Sequence, residues 1–140
     1  MNVLLIEKTF VVYSLAPQEM NKSSVVCFDD CFIVVLKGPS VPFRVDNDPV
    51  PSYGFPDNNV EAGLRNLIDS SNSEDELKEK LMSLVNNELC LIKFADFKKV
   101  KVKGFLGTKT LKVSNSAMKY FCFSATKQDA KDLAAFYSNL

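Results

Sequence analysis

The stretch SVVCFDDCFIVVLK, residues 24–37, carries the clearest local pattern in the chain. Two apolar runs rich in β-branched and aromatic residues flank Asp29-Asp30, which predicts a hairpin closed by a tight acidic turn. A strand with one face in water alternates apolar and polar residues. These two strands are almost continuously apolar, so both of their faces are expected to meet protein. The aspartate pair is also the chain's nominal candidate for a cation site or for paired carboxylates in acid–base work. A turn accounts for it more economically, because Asp tolerates turn dihedrals and bonds to nearby backbone amides.

Upstream, LLIEKTFVVYSL (4–15) reads as one long strand or two short ones, and APQEMNKS (16–23) as a polar connection. Downstream, GPSVPFRVDNDPVPSYGFPDNN (38–59) holds five of the six prolines. Proline withholds a ladder donor and biases its predecessor away from helix, so this is an irregular segment with at most a short strand at 41–45. Phe43, Val45, Val50, Tyr53 and Phe55 make it too apolar for a plain linker. They are expected to pack on the body of the protein, with a peptide-docking aromatic surface as the sharper reading.

Residues 58–88 read as helical. Val60, Leu64, Leu67 and Ile68 recur at helical spacing, and a second helix follows with Ser73 as N-cap, Glu76 closing a capping box and Leu77, Leu81, Leu84 and Val85 on its buried stripe. Strand character returns in LCLIKF (89–94). DFKKVKVKGFLGTKTLKVS (96–114) then alternates: Lys99, Lys101 and Lys103 fall on one side, Val100 and Val102 on the other. Beyond the GFLG connection, Leu111 and Val113 take inward positions and Lys112 an outward one. MKYFCFSA (118–125) is a last strand, and a helix capped by Thr126 and Asp129 closes the chain. The expected core comprises Phe32, Val34, Leu111, Phe121, Phe123, Leu133 and Tyr137.

A single domain over residues 1–140 is expected at this length. The chain has 11 Phe, no Trp and no His. Without histidine the usual neutral-pH general base and imidazole ligand are missing, and no catalytic residue, metal ligand or cofactor is assigned. Cys27, Cys31, Cys90 and Cys122 each lie among apolar neighbours and are expected to be reduced, buried thiols; Cys27 and Cys31 are too poorly matched by any second pair to suggest zinc. MNVLLIEKTFVVYSL lacks a basic leader, carries Glu7 and Lys8 inside its apolar run and is too short to span a bilayer, so a cytoplasmic location is expected.

Charge is divided along the chain. Residues 1–92 hold 14 acidic and 7 basic side chains, a net of −7, whereas residues 93–140 hold 10 Lys against 3 Asp, a net of +7. Most of the positive charge sits in KKVKVKGFLGTKTLK (98–112). Such a patch attracts phosphate or an acidic partner, is the solvated face of a hairpin, or complements the acidic part of the same molecule.

The stretch from Phe94 to Leu140 resembles the second half of a pleckstrin-homology-like domain, especially its GRAM and bacterial branches. The residues that carry the resemblance are the FADFKKVKVK strand, the GFLGTKTLKV return, the MKYFCFSA strand and the TKQDAKDLAAFYSNL helix, together with the early SSVVCFDDCFIVV hairpin. The resemblance covers roughly half of the chain. It implies an α+β fold: an antiparallel PH-like sheet or partly open barrel capped by a C-terminal helix, here with a Pro-rich loop at 38–59 and a helical insertion at about 58–88. Members bind acidic lipids, peptides or partner proteins. The insertion and the acidic first half depart from the family, no lipid-binding residue of the family carries over to this chain, and a general α+β domain with an antiparallel sheet covered by three helices is the competing reading.

A non-enzymatic protein-interaction or scaffold role is therefore expected, with a protein as partner. The alternative is weak binding of acidic lipid or another phosphate-bearing surface through Lys98, Lys99, Lys101, Lys103, Lys109 and Lys112. Lysine meets phosphate as a point charge without the planar fork of arginine, which favours diffuse attraction. Phe105 beside these lysines is the one aromatic that would stack on a nucleic-acid base, but net neutrality and a pI near 6.3 disfavour nucleic acid.

Overall fold

A meander opens the chain: β1 (Leu4–Tyr13), β2 (Met20–Cys27) and β3 (Cys31–Pro39), each antiparallel to the next. The computed structural model describes residues 1–13, 20–39, 53–96, 99–105, 108–114, 119–124 and 127–138. The acidic turn lies where the sequence puts it, closed by the Phe28 amide donating to the Cys31 carbonyl at 2.8 Å. β2 starts earlier than expected, because Met20, Asn21 and Lys22 pair with Val12, Val11 and Phe10. A ladder joins backbone groups, so polar side chains do not bar it.

Residues Val60–Ser70 form α1 and Glu74–Val85 form α2. The Asn59 side chain caps α1 by accepting from the Ala62 amide, and Ser73 caps α2 by accepting from the Glu76 amide at 3.1 Å. The expected capping box closes one residue early: Glu76 accepts from the amide of Asn72 at 2.7 Å and also holds Lys80 at 2.9 Å. Asn86, in the left-handed region that Asn tolerates, ends α2.

Only Leu91–Lys93 forms strand β4 in the LCLIKF stretch, with single 3-10 turns at Glu88–Cys90 and Phe94–Asp96 on either side. The Phe94 amide donates to the Asp30 carbonyl, and its ring packs edge-on against Phe32 and Tyr137, which draws the chain out of the ladder. β5 (Lys99–Phe105), β6 (Thr108–Ser114) and β7 (Lys119–Ser124) form a second antiparallel meander, followed by α3 (Lys127–Phe136). β7 returns to pair with β1, giving one seven-stranded sheet in the order β4-β3-β2-β1-β7-β6-β5. The sheet is antiparallel and open rather than closed into a barrel, and with the middle helices and the C-terminal helix it makes an α+β architecture. α3 lies against β1, β6 and β7, and α2 against β3.

The hairpin's apolar residues divide between two cores. Val25, Cys27, Phe32 and Val34 pack with Leu133 and Tyr137 of the C-terminal helix region. Val26, Phe28, Cys31, Ile33 and Val35 pack with Val60, Leu64, Leu77 and Leu81 of α1 and α2. The central strands are thus buried on both faces, which is why they do not alternate.

β1 reaches both halves of the sheet through a bulge. Ile6 pairs with Val25 and Thr9 with Ser23, so three steps along β1 answer two along β2. The extra residue reverses the strand's alternation, and Ile6 and Val11 consequently share the core that Leu133 enters. A matching irregularity at Lys37 of β3 lies across β2. The Ser24 hydroxyl and the Lys37 ammonium both donate to the Glu7 carbonyl at 2.7 Å. Lys37 also bonds the Glu61 carboxylate, and Arg65 reaches Glu7, so α1 is pinned over the bulge. Burial alone would raise the Glu61 carboxyl; the Lys37 hydrogen bond and charge outweigh it and hold it below the usual range.

The end of the Pro-rich segment packs on this body as expected. Tyr53 donates to the Leu36 carbonyl at 2.6 Å, and the Phe55 ring lies over Gly63 of α1. Residues 40–52 of that segment, including the strand expected at 41–45, fall outside the described residues, as do Thr126 and Leu140. A β-carbon at position 63 would overlap the Phe55 ring. Gly63→Ala is therefore expected to destabilise the protein in urea titration, even though alanine favours an open helix by about 1 kcal/mol. A gain in stability would show that the ring moves aside freely.

Candidate functional site

The acidic turn is engaged in the fold on every side. Asn2 donates to Asp29 at 2.6 Å, and Lys78 of α2 bonds Asp30 at 3.1 Å while lying 5.0 Å from the Phe28 ring centroid. The Tyr137 hydroxyl donates to the Phe28 carbonyl at 2.9 Å, across 109 positions of sequence. The Lys78 hydrogen bond holds the Asp30 carboxyl below its ordinary range despite partial burial. Asp30 is thus an ionised partner of Lys78, in keeping with the turn reading. A groove of about 450 Å³ adjoins it, lined by Asp30, Cys31, Lys78, Met82, Lys93 and Phe94. Sequence reading did not foresee this groove, because its residues come from the turn, α2 and the β4 edge, and no local pattern links them.

Cys31 is the thiol among the residues lining that groove, and it is poorly suited to attack. Burial and then the Asp30 charge push its thiol up to about 12, so it is protonated at neutral pH. Burial likewise raises Cys90, and the buried Cys27, Cys31 and Cys90 are joined in no disulfide among the described residues. Among the described residues, no group of three or more Cys, Asp or Glu side chains is placed to hold a metal ion. Alkylation of native protein at pH 7 is expected to leave these three thiols largely unmodified, while denaturing, nonreducing conditions expose four. Rapid native labelling of Cys31, or a mass two hydrogens short of four thiols, would overturn that assignment.

The Lys-rich residues are brought together along one end of the sheet. Lys99, Lys101 and Lys103 occupy alternate positions of β5, opposite Ser114, Lys112 and Thr110 of β6. Lys112 therefore stands directly across from Lys101, whereas Lys109, opposite Gly104, falls at the alternate parity. Phe105 ends β5 opposite Thr108. Lys98 lies outside the described residues, and for the others the description is of backbone and register. Val100 and Val102 pair with Val113 and Leu111, as the alternation predicts. The expected single inward set of Leu111, Phe121 and Phe123 does not match the ladder: Leu111 pairs with Cys122, and Lys112 with Phe121. Register is fixed by the partner strand, and a shift of one residue exchanges every position between faces.

Among the described residues β5 is an edge of the sheet, at the opposite end from β4. Five strand spacings separate it from β3, on which α2 packs, or about 24 Å along the sheet. No helix among the described residues is long and apolar enough to cross a membrane. Comparison with protein-family models, with curated proteins and with solved structures finds no match to this chain.

Proposed function

We propose that the chain is a non-enzymatic protein-interaction module of the pleckstrin-homology-like type, with the Lys-rich β5–β6 end as its contact surface. The observation that carries this reading is an edge strand of seven residues with lysine at every second position from 99 to 103. An edge strand has an unpaired row of backbone donors and acceptors, and edge lysines discourage pairing with another uncharged edge while attracting an acidic surface. Family type is supported by connectivity: two meanders joined through β1 and β7, with ends at β4 and β5 and a terminal helix against β1, β6 and β7.

Acidic lipid is the second reading, favoured by Lys101 and Lys112 standing opposite each other, which concentrates charge. Wild type and the Lys99→Glu/Lys101→Glu/Lys103→Glu variant separate the two. The wild type is expected to retain a stoichiometric protein partner that the variant loses with its thermal unfolding unchanged, and to bind anionic vesicles weakly. Tight, headgroup-selective vesicle binding that weakens as salt rises from about 0.05 to 0.5 M would give the lipid reading precedence.

A further inference from the structure

We infer that the partner surface for the Lys-rich edge is a second copy of this chain, docked head to tail with β5 against the acidic α1–α2 layer. This rests on reading β5 as the contact surface, and names what it contacts. The two surfaces are far apart in the strand order, β5 at one end and α2 on β3 near the other, and carry opposite formal charge. Asp69, Asp75, Glu79 and Glu88 are all exposed on or beside these helices. Between α1 and α2 runs a groove of about 630 Å³ lined by Leu67, Glu76, Glu79, Lys80, Ser83 and Leu84, in which Lys80 pairs with Glu76 and Glu79 is left as the exposed acid.

Spacing supports the pairing. Lysines at every second residue of an extended strand recur at about 6.8 Å. Asp75 and Glu79, one helical turn apart on α2, recur at about 6 Å. An extended Lys-bearing edge laid along α2 thus meets acidic groups at nearly its own repeat. The alternative symmetric contact, β5 against β5, would set three lysines against three, and like charges directly opposed across strands repel. At pH 7 the chain has a formal net charge of 0, so no overall repulsion keeps copies apart. Because the two surfaces differ, the contact is heterologous and need not close on itself, so mass should grow with concentration rather than stop at a dimer.

Sedimentation velocity of the full chain tests this at about 20 and 500 mM NaCl, where the Debye length falls from over 20 Å to about 4 Å. The expected result is a weight-average mass that exceeds the 15.6 kDa monomer and rises with concentration at low salt, and monomer at high salt. Lys99→Glu/Lys101→Glu/Lys103→Glu and Asp75→Lys/Glu79→Lys should each weaken association at least tenfold, and mixing the two should restore a complex. Lys22→Glu/Lys131→Glu makes two of the same three charge reversals away from β5 and from α1 and α2, so it should retain more association. Equal loss in this control, or a wild type monomeric at both salts, would overturn self-docking. If the wild type is monomeric yet still captures another protein through its lysines, self-docking fails and the interaction reading stands.

Discussion

Ile33→Ala is expected to lower the free energy of unfolding by about 2–5 kcal/mol, as measured by chemical denaturation. Ile33 is fully buried on the face of β3 turned toward α1 and α2, packed in the cluster that contains Val26, Val35, Leu64 and Leu77. In a sheet covered only by a C-terminal helix that face would meet water, and the same truncation would fall within about 0.5 kcal/mol of neutral. The size of the effect therefore reports whether the middle helices are an integral layer or an appended one. A loss below about 0.5 kcal/mol would mean that they do not cover the sheet.

The continuous apolar runs of residues 24–37 made that double burial readable in the sequence. Hydrophobic periodicity reports how many faces a strand buries, and a cap such as Ser73 reports where a helix begins, because both are local. What escaped reading was set by partners. The bulge in β1 has no marker in LLIEKTFVVYSL: Glu7 and Lys8 look like ordinary polar positions, and only the pairing with β2 shows that one of them is extra. β4 is short because Phe94 joins Phe32 and Tyr137, a choice made by residues far along the chain. The Lys37, Glu61, Glu7 and Arg65 cluster likewise joins three separate elements. For the candidate site, composition alone located the lysines, and their alternation fixed that Lys99, Lys101 and Lys103 share a parity. That β5 is an edge, and that it lies at the far end of the sheet from the acid layer, needed the strand order.

Leu133→Ala is expected to cost about 2–5 kcal/mol, through lost apolar burial and the cavity left behind. Leu133 is fully buried among Ile6, Val11, Val25, Phe32 and Val34, so one side chain of α3 holds the helix against strands from the first meander. Tyr137, one turn later, adds a hydrogen bond to the Phe28 carbonyl at the acidic turn. Tyr137→Phe keeps the ring and removes that donor, with an expected loss of about 1 kcal/mol and little cavity. The two changes separate packing from the hydrogen bond, and their double variant should lose more than either alone. Because the contacts span more than a hundred positions, both losses should appear in global unfolding rather than in fraying of the terminus. If Leu133→Ala leaves the global midpoint in place and loosens only α3, as amide hydrogen exchange would reveal, the helix is a peripheral appendage and the first core closes without it.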